Sequence, residues 1–508
     1  MSTRRSTVAL ALLMAFASIR MAMTFRVFSA TVDEATHVGA GLELIEFHRN
    51  LLQRLNPPLP RLVYAAAPWA GGMRFNANAP TIPDQLHSVF YDHGRYERNL
   101  FLARLGTLLF FIIAATALAA WTRRELGANA AIIATLLFSM EPIVLGYSAL
   151  ATHDGPATAG VAVVLLAMSR WLEQRTTSRT AQLGAAFGFS VLCKFSCIVY
   201  APLACAAIFA VRCARDRRVR SADVLRVIAI VPPVAALLVW AGYGFTFARV
   251  KELHGWPLPA PTFFAGFAGI LDIDNGGFLS YAFGQTSMRG WWWYFPVAIA
   301  LKTTLAFLLL IAIGAYFALR DRELRWPALE GLTASAAILA IAMPSTLDIG
   351  VRYVLPMYVP LIFAAAACTI AMLRARQRIV RATAVALLVT QSLVSLIAHP
   401  DYFPFFNALA GREPSRYLAD SNIDWGQDVL RLRDAVIELN IRHISTELMG
   451  PADLNALGFP AHDKADVAKP SRGWIAVSEQ AIRMMSWSWL ADRPYRKIGR
   501  AIRLNYIP

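Results

Sequence analysis

Val32-Asp33-Glu34-Ala35-Thr36-His37-Val38-Gly39-Ala40-Gly41, continued after a short amphipathic run by Asn56-Pro57-Pro58-Leu59-Pro60-Arg61, is the stretch on which the reading of this chain turns. It follows the first long apolar run and begins the longest polar region of the N-terminal half. Asp33, Glu34 and His37 crowd together where a helix leaving a bilayer would emerge, and a Pro-Pro bend and a cation come next. Asp33 and His37 are four apart and share a face if the segment is helical. Two readings of Asp33 stand together. It is a candidate catalytic carboxylate. It is also well placed to start a helix, and Thr31-x-x-Glu34 has the spacing of a capping box.

The composition sets the setting. The 508 residues are 57% hydrophobic and 16% charged, with a mean hydropathy of +0.46, the balance of a polytopic membrane protein. A net charge of +16 raises nucleic acid as a partner. The arginines exclude it, because they lie in short runs between apolar segments, where positive-inside topology puts them. The five cysteines (Cys193, Cys197, Cys205, Cys213 and Cys368) all sit in or beside apolar segments, which gives neither a disulfide framework nor a zinc site. Basic residues precede the first apolar run, but no small-residue cleavage site follows, so that run reads as a membrane helix.

A span takes about 20 mostly apolar residues. The sequence predicts eleven, near 8–25, 101–121, 127–146, 156–171, 181–197, 199–213, 224–245, 293–318, 328–344, 353–373 and 382–399. With a cytoplasmic N-terminus, every short basic loop, including Arg123/Arg124 and Arg212 to Arg226, falls on the inner side. The odd count leaves 400–508 outside. Two domains are expected: 1–399 in the membrane, with outer loops 26–99 and 246–291, and 400–508 as a small extracytoplasmic α/β domain. The first loop should hold amphipathic helices near 35–50 and 58–70 on the membrane surface. In the last segment the pattern predicts a helix at 427–439, strands at 444–448 and 474–477, and a helix from 479. Trp291-Trp292-Trp293-Tyr294 reads first as an interfacial aromatic belt, and second as a stacking surface.

A second acid, Asp154, lies in the short turn Thr152-His153-Asp154-Gly155-Pro156 on the same side as Asp33. It too could simply cap a helix, with Pro156 in the first turn. Arg61, Lys194, Lys302 and Arg352 lie near that face. Long cations can snorkel to an interface, but ionisable groups gathered at one membrane face suit an anionic headgroup.

Taken in order, these motifs resemble the C-type, lipid-carrier-dependent glycosyltransferases, the superfamily of protein O-mannosyltransferases and lipid A aminoarabinose transferases. The family's Asp-Glu pair is matched by Asp33-Glu34, with His37 and Gly41 following. Its His-Pro-Pro-Leu-x-Lys motif reads Asn56-Pro57-Pro58-Leu59-Pro60-Arg61 here, so asparagine stands in for histidine and arginine for lysine. Asp154 matches the second acid. Tyr281-x-x-Gly284-Gln285, Trp292-x-Tyr294-Phe295-Pro296 up to Lys302, Gly350-x-Arg352-Tyr353-x-x-Pro356, and His399-Pro400-x-Tyr402 through Phe406-Asn407 keep the family's order. Asp420-Ser421-Asn422-x-Asp424-Trp425-Gly426-Gln427-Asp428 is the most specific string.

The resemblance implies a membrane glycosyltransferase of the bacterial inner membrane, working on the cell-envelope side. Its donor would be a polyprenyl-phosphate-linked sugar, and its acceptor a hydroxyl of a protein, lipid or glycan. The implied catalytic residues are Asp33, Glu34 and Asp154, with Asp33 as base. Arg61, Lys194, Lys302 and Arg352 would bind the donor phosphate. His37, Tyr281, Tyr353, Asp424 and Trp425 would contact substrate. No cofactor is required by this chemistry, although two acids could hold a divalent metal ion. Two other classes compete: a lipid-linked sugar flippase or transporter, which should show repeat symmetry and mid-bilayer charges, and a non-catalytic membrane assembly factor.

Overall fold

A computed structural model describes residues 3–216, 221–485, 487–490 and 493–508. Among them, seven helices are long and apolar enough to cross a membrane: Arg4–Thr24, Tyr96–Leu126, Asp154–Glu173, Cys197–Arg215, Ser221–Gly242, Val351–Arg374 and Arg378–Ile397. Two further pairs qualify if each is one broken span. Ala128–Met140 and Pro142–Ser148 bend by 64°, and Tyr294–Lys302 and Leu305–Arg320 by 107°. The chain is a multi-span membrane protein. The eleven expected spans all coincide with helix, but Thr177–Cys193 and Arg325–Ala342 fall outside the seven to nine that meet the length and hydropathy requirement. Of the basic loop Arg212 to Arg226, residues 217–220 lie outside the described residues.

The breaks have identifiable partners. Glu141, at the first break, accepts hydrogen bonds from the Thr304 backbone N–H (3.3 Å) and hydroxyl (3.2 Å) at the second. Gln391 bonds the same carboxyl at 3.0 Å from the helix Arg378–Ile397. Backbone groups freed by a bend in an apolar setting need such acceptors.

In the first loop, helices Glu34–Phe47 and Pro58–Ala70 form where amphipathic helices were expected. They meet backbone to backbone: a Cβ on Gly41 would lie 2.1 Å from the Arg61 carbonyl oxygen, so only glycine allows the crossing. That contact fixes Asp33 and His37 relative to Pro57.

The C-terminal segment carries a mixed five-stranded sheet. Its order is Ala461–Lys464, His443–Glu447, Gly473–Ser478, Ile502–Ile507, Tyr495–Ile498, the first three parallel and the last two joining antiparallel. The expected helix forms at Val429–Glu438 with Leu430, Leu432 and Val436 buried, and a short one forms at Glu479–Met484. Strands Ala461–Lys464, Tyr495–Ile498 and Ile502–Ile507 were not foreseen. Buried side chains run without a gap from the helical bundle into this sheet: Phe403 and Trp425 share one core with Leu432, Ile444 and Leu504.

Candidate active site

Asp33 immediately precedes the helix Glu34–Phe47, yet its side chain makes no capping bond. It faces instead a cavity of about 280 Å³. Asp154, the first residue of Asp154–Glu173, reaches the same cavity, as do His37, His153, Lys194, Arg352 and Tyr353. Phe195, Phe267, Ile270, Leu271 and Leu347 supply an apolar wall. One side of the cavity is thus charged and the other is suited to hydrocarbon.

Arg352 organises the charged side. Its Nη1 lies 3.4 Å from Asp33 Oδ2 and 3.6 Å from Asp154 Oδ2. Lys194 donates to the other Asp154 oxygen at 2.6 Å, and Thr152 Oγ1 donates to Oδ2 at 3.2 Å. The two acids therefore differ in kind. The Asp154 side chain is 1% exposed and saturated by cations, whereas that of Asp33 is 36% exposed with a single long contact. Asp33 is left open to a ligand; Asp154 is held between two cations. The gap between the carboxylates, where a bridging ion would sit, is filled by the guanidinium. Among the described residues no group of three His, Cys, Asp or Glu side chains is arranged to hold a metal.

His153 lines the cavity and was missed from the sequence; its only signal was adjacency to Asp154. Its Nε2–H must donate to the Pro57 carbonyl at 3.2 Å, because a carbonyl only accepts. The His37 and His153 rings pack edge to face, 4.4 Å apart. Burial lowers His37 to about 4, outweighing the opposing pull of Asp33, so the pair is neutral at physiological pH.

Three expected site residues are placed elsewhere. Glu34 is fully buried and both its oxygens are engaged: Arg104 donates at 2.8 and 2.7 Å, Ala151 N–H at 2.9 Å and Thr31 N–H at 2.9 Å. Burial opposes its charge, but Arg104 and these N–H groups prevail and hold its carboxyl below the usual range. Its role is to tie the first loop to the 149–152 turn. Arg61 is buried against its own loop, donating to Pro57 O, Asn50 Oδ1, Gln53 O and Asn56 O. It shapes the Leu55–Asn56 wall of the cavity and has little left to offer a phosphate. Lys302 is fully buried and bonds the carbonyls of Phe403 (2.7 Å) and Asn422, outside the cavity.

The expected substrate contacts divide similarly. Tyr353 lines the cavity, with Lys194 Nζ 4.7 Å from its ring centre. Tyr281 is turned away, its hydroxyl on Arg416 O at 3.3 Å. Asp424 is buried, accepting from the Gln480 and Gly426 N–H groups at 3.0 and 3.2 Å; burial raises its carboxyl to about 7. Trp425 acts one step removed, its ring centre 4.1 Å from the Arg352 guanidinium carbon.

That stacking belongs to a larger clamp. Ser421 Oγ accepts from Arg352 Nε at 3.0 Å, and Asn422 Oδ1 accepts from the Val351 N–H at 3.1 Å. Ser29 and Val32 donate their N–H groups to the Gln427 and Trp425 carbonyls at 2.9 and 3.2 Å. One C-terminal motif thus grips the chain just before Asp33 and the arginine facing it.

Parts of this architecture recur in known proteins. Residues 96–240 match the family model described as dolichyl-phosphate-mannose-protein mannosyltransferase. The structure of ArnT from Cupriavidus metallidurans in the apo state superposes with a TM-score of 0.51 at 14% identity, covering 99% of this chain and 98% of that one. The same protein bound to undecaprenyl phosphate gives 0.49 at 14% identity, over 97% of both chains. Archaeal oligosaccharyltransferase AglB from Archaeoglobus fulgidus, in complex with an inhibitory peptide and a dolichol-phosphate, gives 0.48 at 13% identity, over 85% of this chain and 58% of that one. Curated protein sequences contain no match. The chain has the fold of ArnT, the C-type glycosyltransferase fold, and residues 96–240 within it resemble the mannosyltransferase family model.

Proposed function

We propose that this protein transfers a sugar from a polyprenyl-phosphate donor to an acceptor hydroxyl at the outer face of the bacterial inner membrane. The observation that carries the reading is the open carboxylate of Asp33 and the closed one of Asp154, both on Arg352 in one half-apolar cavity. The fold supports it: ArnT, whose apo structure shares it, was also solved bound to undecaprenyl phosphate.

Asp33 takes the proton of the acceptor hydroxyl as its oxygen attacks the anomeric carbon. The bond from that carbon to the phosphate oxygen breaks, and its electron pair stays on the lipid phosphate. Arg352 and Lys194 neutralise the charge that grows there. Phosphate is acidic enough to leave without a general acid, so one base suffices, and a single displacement inverts the anomeric centre. Asp154 keeps both cations aimed. The apolar wall receives the first part of the lipid chain.

In this reading 400–508 is an extracytoplasmic domain and the N-terminus is cytoplasmic. A cysteine at Lys469 should react with an impermeant reagent without opening the inner membrane. The function itself is tested by mass spectrometry of envelope glycans, glycolipids and glycoproteins in cells lacking the protein. One linkage should disappear and return with the wild-type chain but not with Asp33→Asn. An unchanged profile would sink the proposal.

A further inference from the structure

A second cavity, sharing no residue with the first, lies where the helix Arg378–Ile397 ends against the C-terminal sheet. Its volume is about 350 Å³. Val394, Ile397 and Phe405 give it an apolar side. Its charged lining is Asp401, Arg412, Lys497 and Arg500. Asp401 is already engaged, accepting from Arg431 at 2.7 Å and lying 3.6 Å from Arg500. The side chains of Arg412 and Lys497 have no hydrogen bond or ion pair within the described residues. The cavity therefore carries cations in excess.

Its position decides what those cations are for. Below the cavity, the same helix presents Leu393 (52% exposed), Leu396 (44%) and Ile397 (81%) outward, and this helix is one of the membrane spans. Unpaired cations thus stand at the end of an outward-facing apolar stripe on a membrane span, and the ends of spans are where headgroups meet a protein. Lys497 is only partly exposed, on the strand Tyr495–Ile498. Burial, helped by Arg500 and Arg503 and opposed by Glu479, lowers its ammonium from the usual range. An anion in the cavity would reverse that.

We infer that this cavity binds the headgroup of an anionic glycerophospholipid, its phosphate on Arg412 and Lys497 and its acyl chains along Leu393, Leu396 and Ile397. The volume is at the low end of ligand pockets, roughly 300–1,000 Å³, which suits a headgroup with the chains outside. A zwitterionic lipid brings its own cation into a cationic site and is disfavoured. Basic pockets beside membrane helices recognise anionic headgroups by this electrostatics. Arg500 and Ala501 donate their N–H groups to Asp428 at 2.8 and 2.9 Å, so a lipid held here would brace the residue that follows the arginine clamp.

The test is native mass spectrometry of the full chain released from detergent, titrated with phosphatidylglycerol or phosphatidylcholine of identical acyl chains. Wild type should retain phosphatidylglycerol at least tenfold better, and Lys497→Gln with Arg412→Gln should erase the preference. Thermal melting checks the double variant. If it does not fold, Arg412→Gln alone, at an exposed position, should still lower the preference threefold or more. Equal retention of the two lipids, or an unchanged preference in a folded variant, overturns the inference. Stripping of the lipid by inorganic phosphate would make this a free-anion site. Tighter binding of undecaprenyl phosphate through Lys497 would make it a donor site. Either result also overturns it.

Discussion

Arg352 Nη1 stands 3.4 Å from Asp33 Oδ2 and within 3.6 Å of Asp154, so one guanidinium spans an open and a sealed carboxylate. The open one leaves room for a ligand. The sealed one is matched by two cations. This asymmetry separates the variants below.

Asp33→Asn should lower the transfer rate by about 10²–10⁴-fold, the usual worth of a positioned base. Because the Asp33 side chain makes no capping bond, Asp33→Ala should melt near wild type as well. Rates with purified protein and melting of both variants check this. An active Asp33→Asn would move the base elsewhere.

Asp154→Asn should damage stability as well as rate. Removing one partner from a buried ion pair costs about 3–5 kcal/mol, because the other charge stays buried. Lys194 and Arg352 are the charges left behind. Denaturation in detergent should show the loss, and a variant that melts like wild type but is inactive would make Asp154 a direct participant.

Arg352→Ala should weaken donor binding tenfold or more, given about 1.5–3 kcal/mol for a hydrogen bond to a charged group. Arg352→Lys should restore only part of this. A lysine cannot reach Ser421 and the two acids with one planar fork. Equal affinity of all three proteins for a polyprenyl-phosphate sugar would remove Arg352 from the donor site.

Glu34→Gln should lose stability with little specific effect on the chemical step, since its partner Arg104 is buried at 1% exposure. The check is the rate per folded molecule. If that rate falls as far as in Asp33→Asn, Glu34 belongs to the chemistry after all.

Asp424 gives a pH signature. Its carboxyl is raised from 3.8 to about 7 by burial, so the folded state binds more protons than the unfolded one across that window. Stability should therefore fall as pH rises from about 4 to 7 on its account. Asp424→Asn, which keeps the acceptor for Gln480, should melt higher than wild type at pH 8 and show a shallower decline. Identical melting curves at pH 5 and pH 8 for both proteins would refute this.

The acids were legible in the sequence because chemistry concentrated at the mouths of apolar runs leaves few other places for them. Asp33 and Asp154 meet because Glu34 ties the start of the first loop to the turn that ends in Asp154, and both open on one cavity. Arg61 and Lys302 were not legible in this way. What occupies them are backbone carbonyls, of the 53–57 loop for one and of Phe403 and Asn422 for the other, and no residue type announces a free carbonyl. The same blindness hid the roles of Ser421 and Trp425, whose partner lies about seventy positions earlier. Lys194 could be placed because a lysine interrupting an apolar run needs a counter-charge, and Asp154 supplies it. The strand Tyr495–Ile498 escaped because it is four residues long with Arg496 and Lys497 at its centre, and Ile502–Ile507 because Arg503 and Asn505 are buried within it and hide the apolar pattern.

The clamp from Ser421 to Gln427 has a consequence for the order in which the protein becomes competent. Both acids, the lysine and the arginine are synthesised within the first 352 residues, yet the groups that aim the arginine and hold the Asp33 approach come from 421–427. Until that strip emerges and docks, the inserted helices hold the charges without their alignment. If the site works as proposed, activity arrives late in biogenesis, after the last helix is in the bilayer, and a half-made chain in the membrane stays silent.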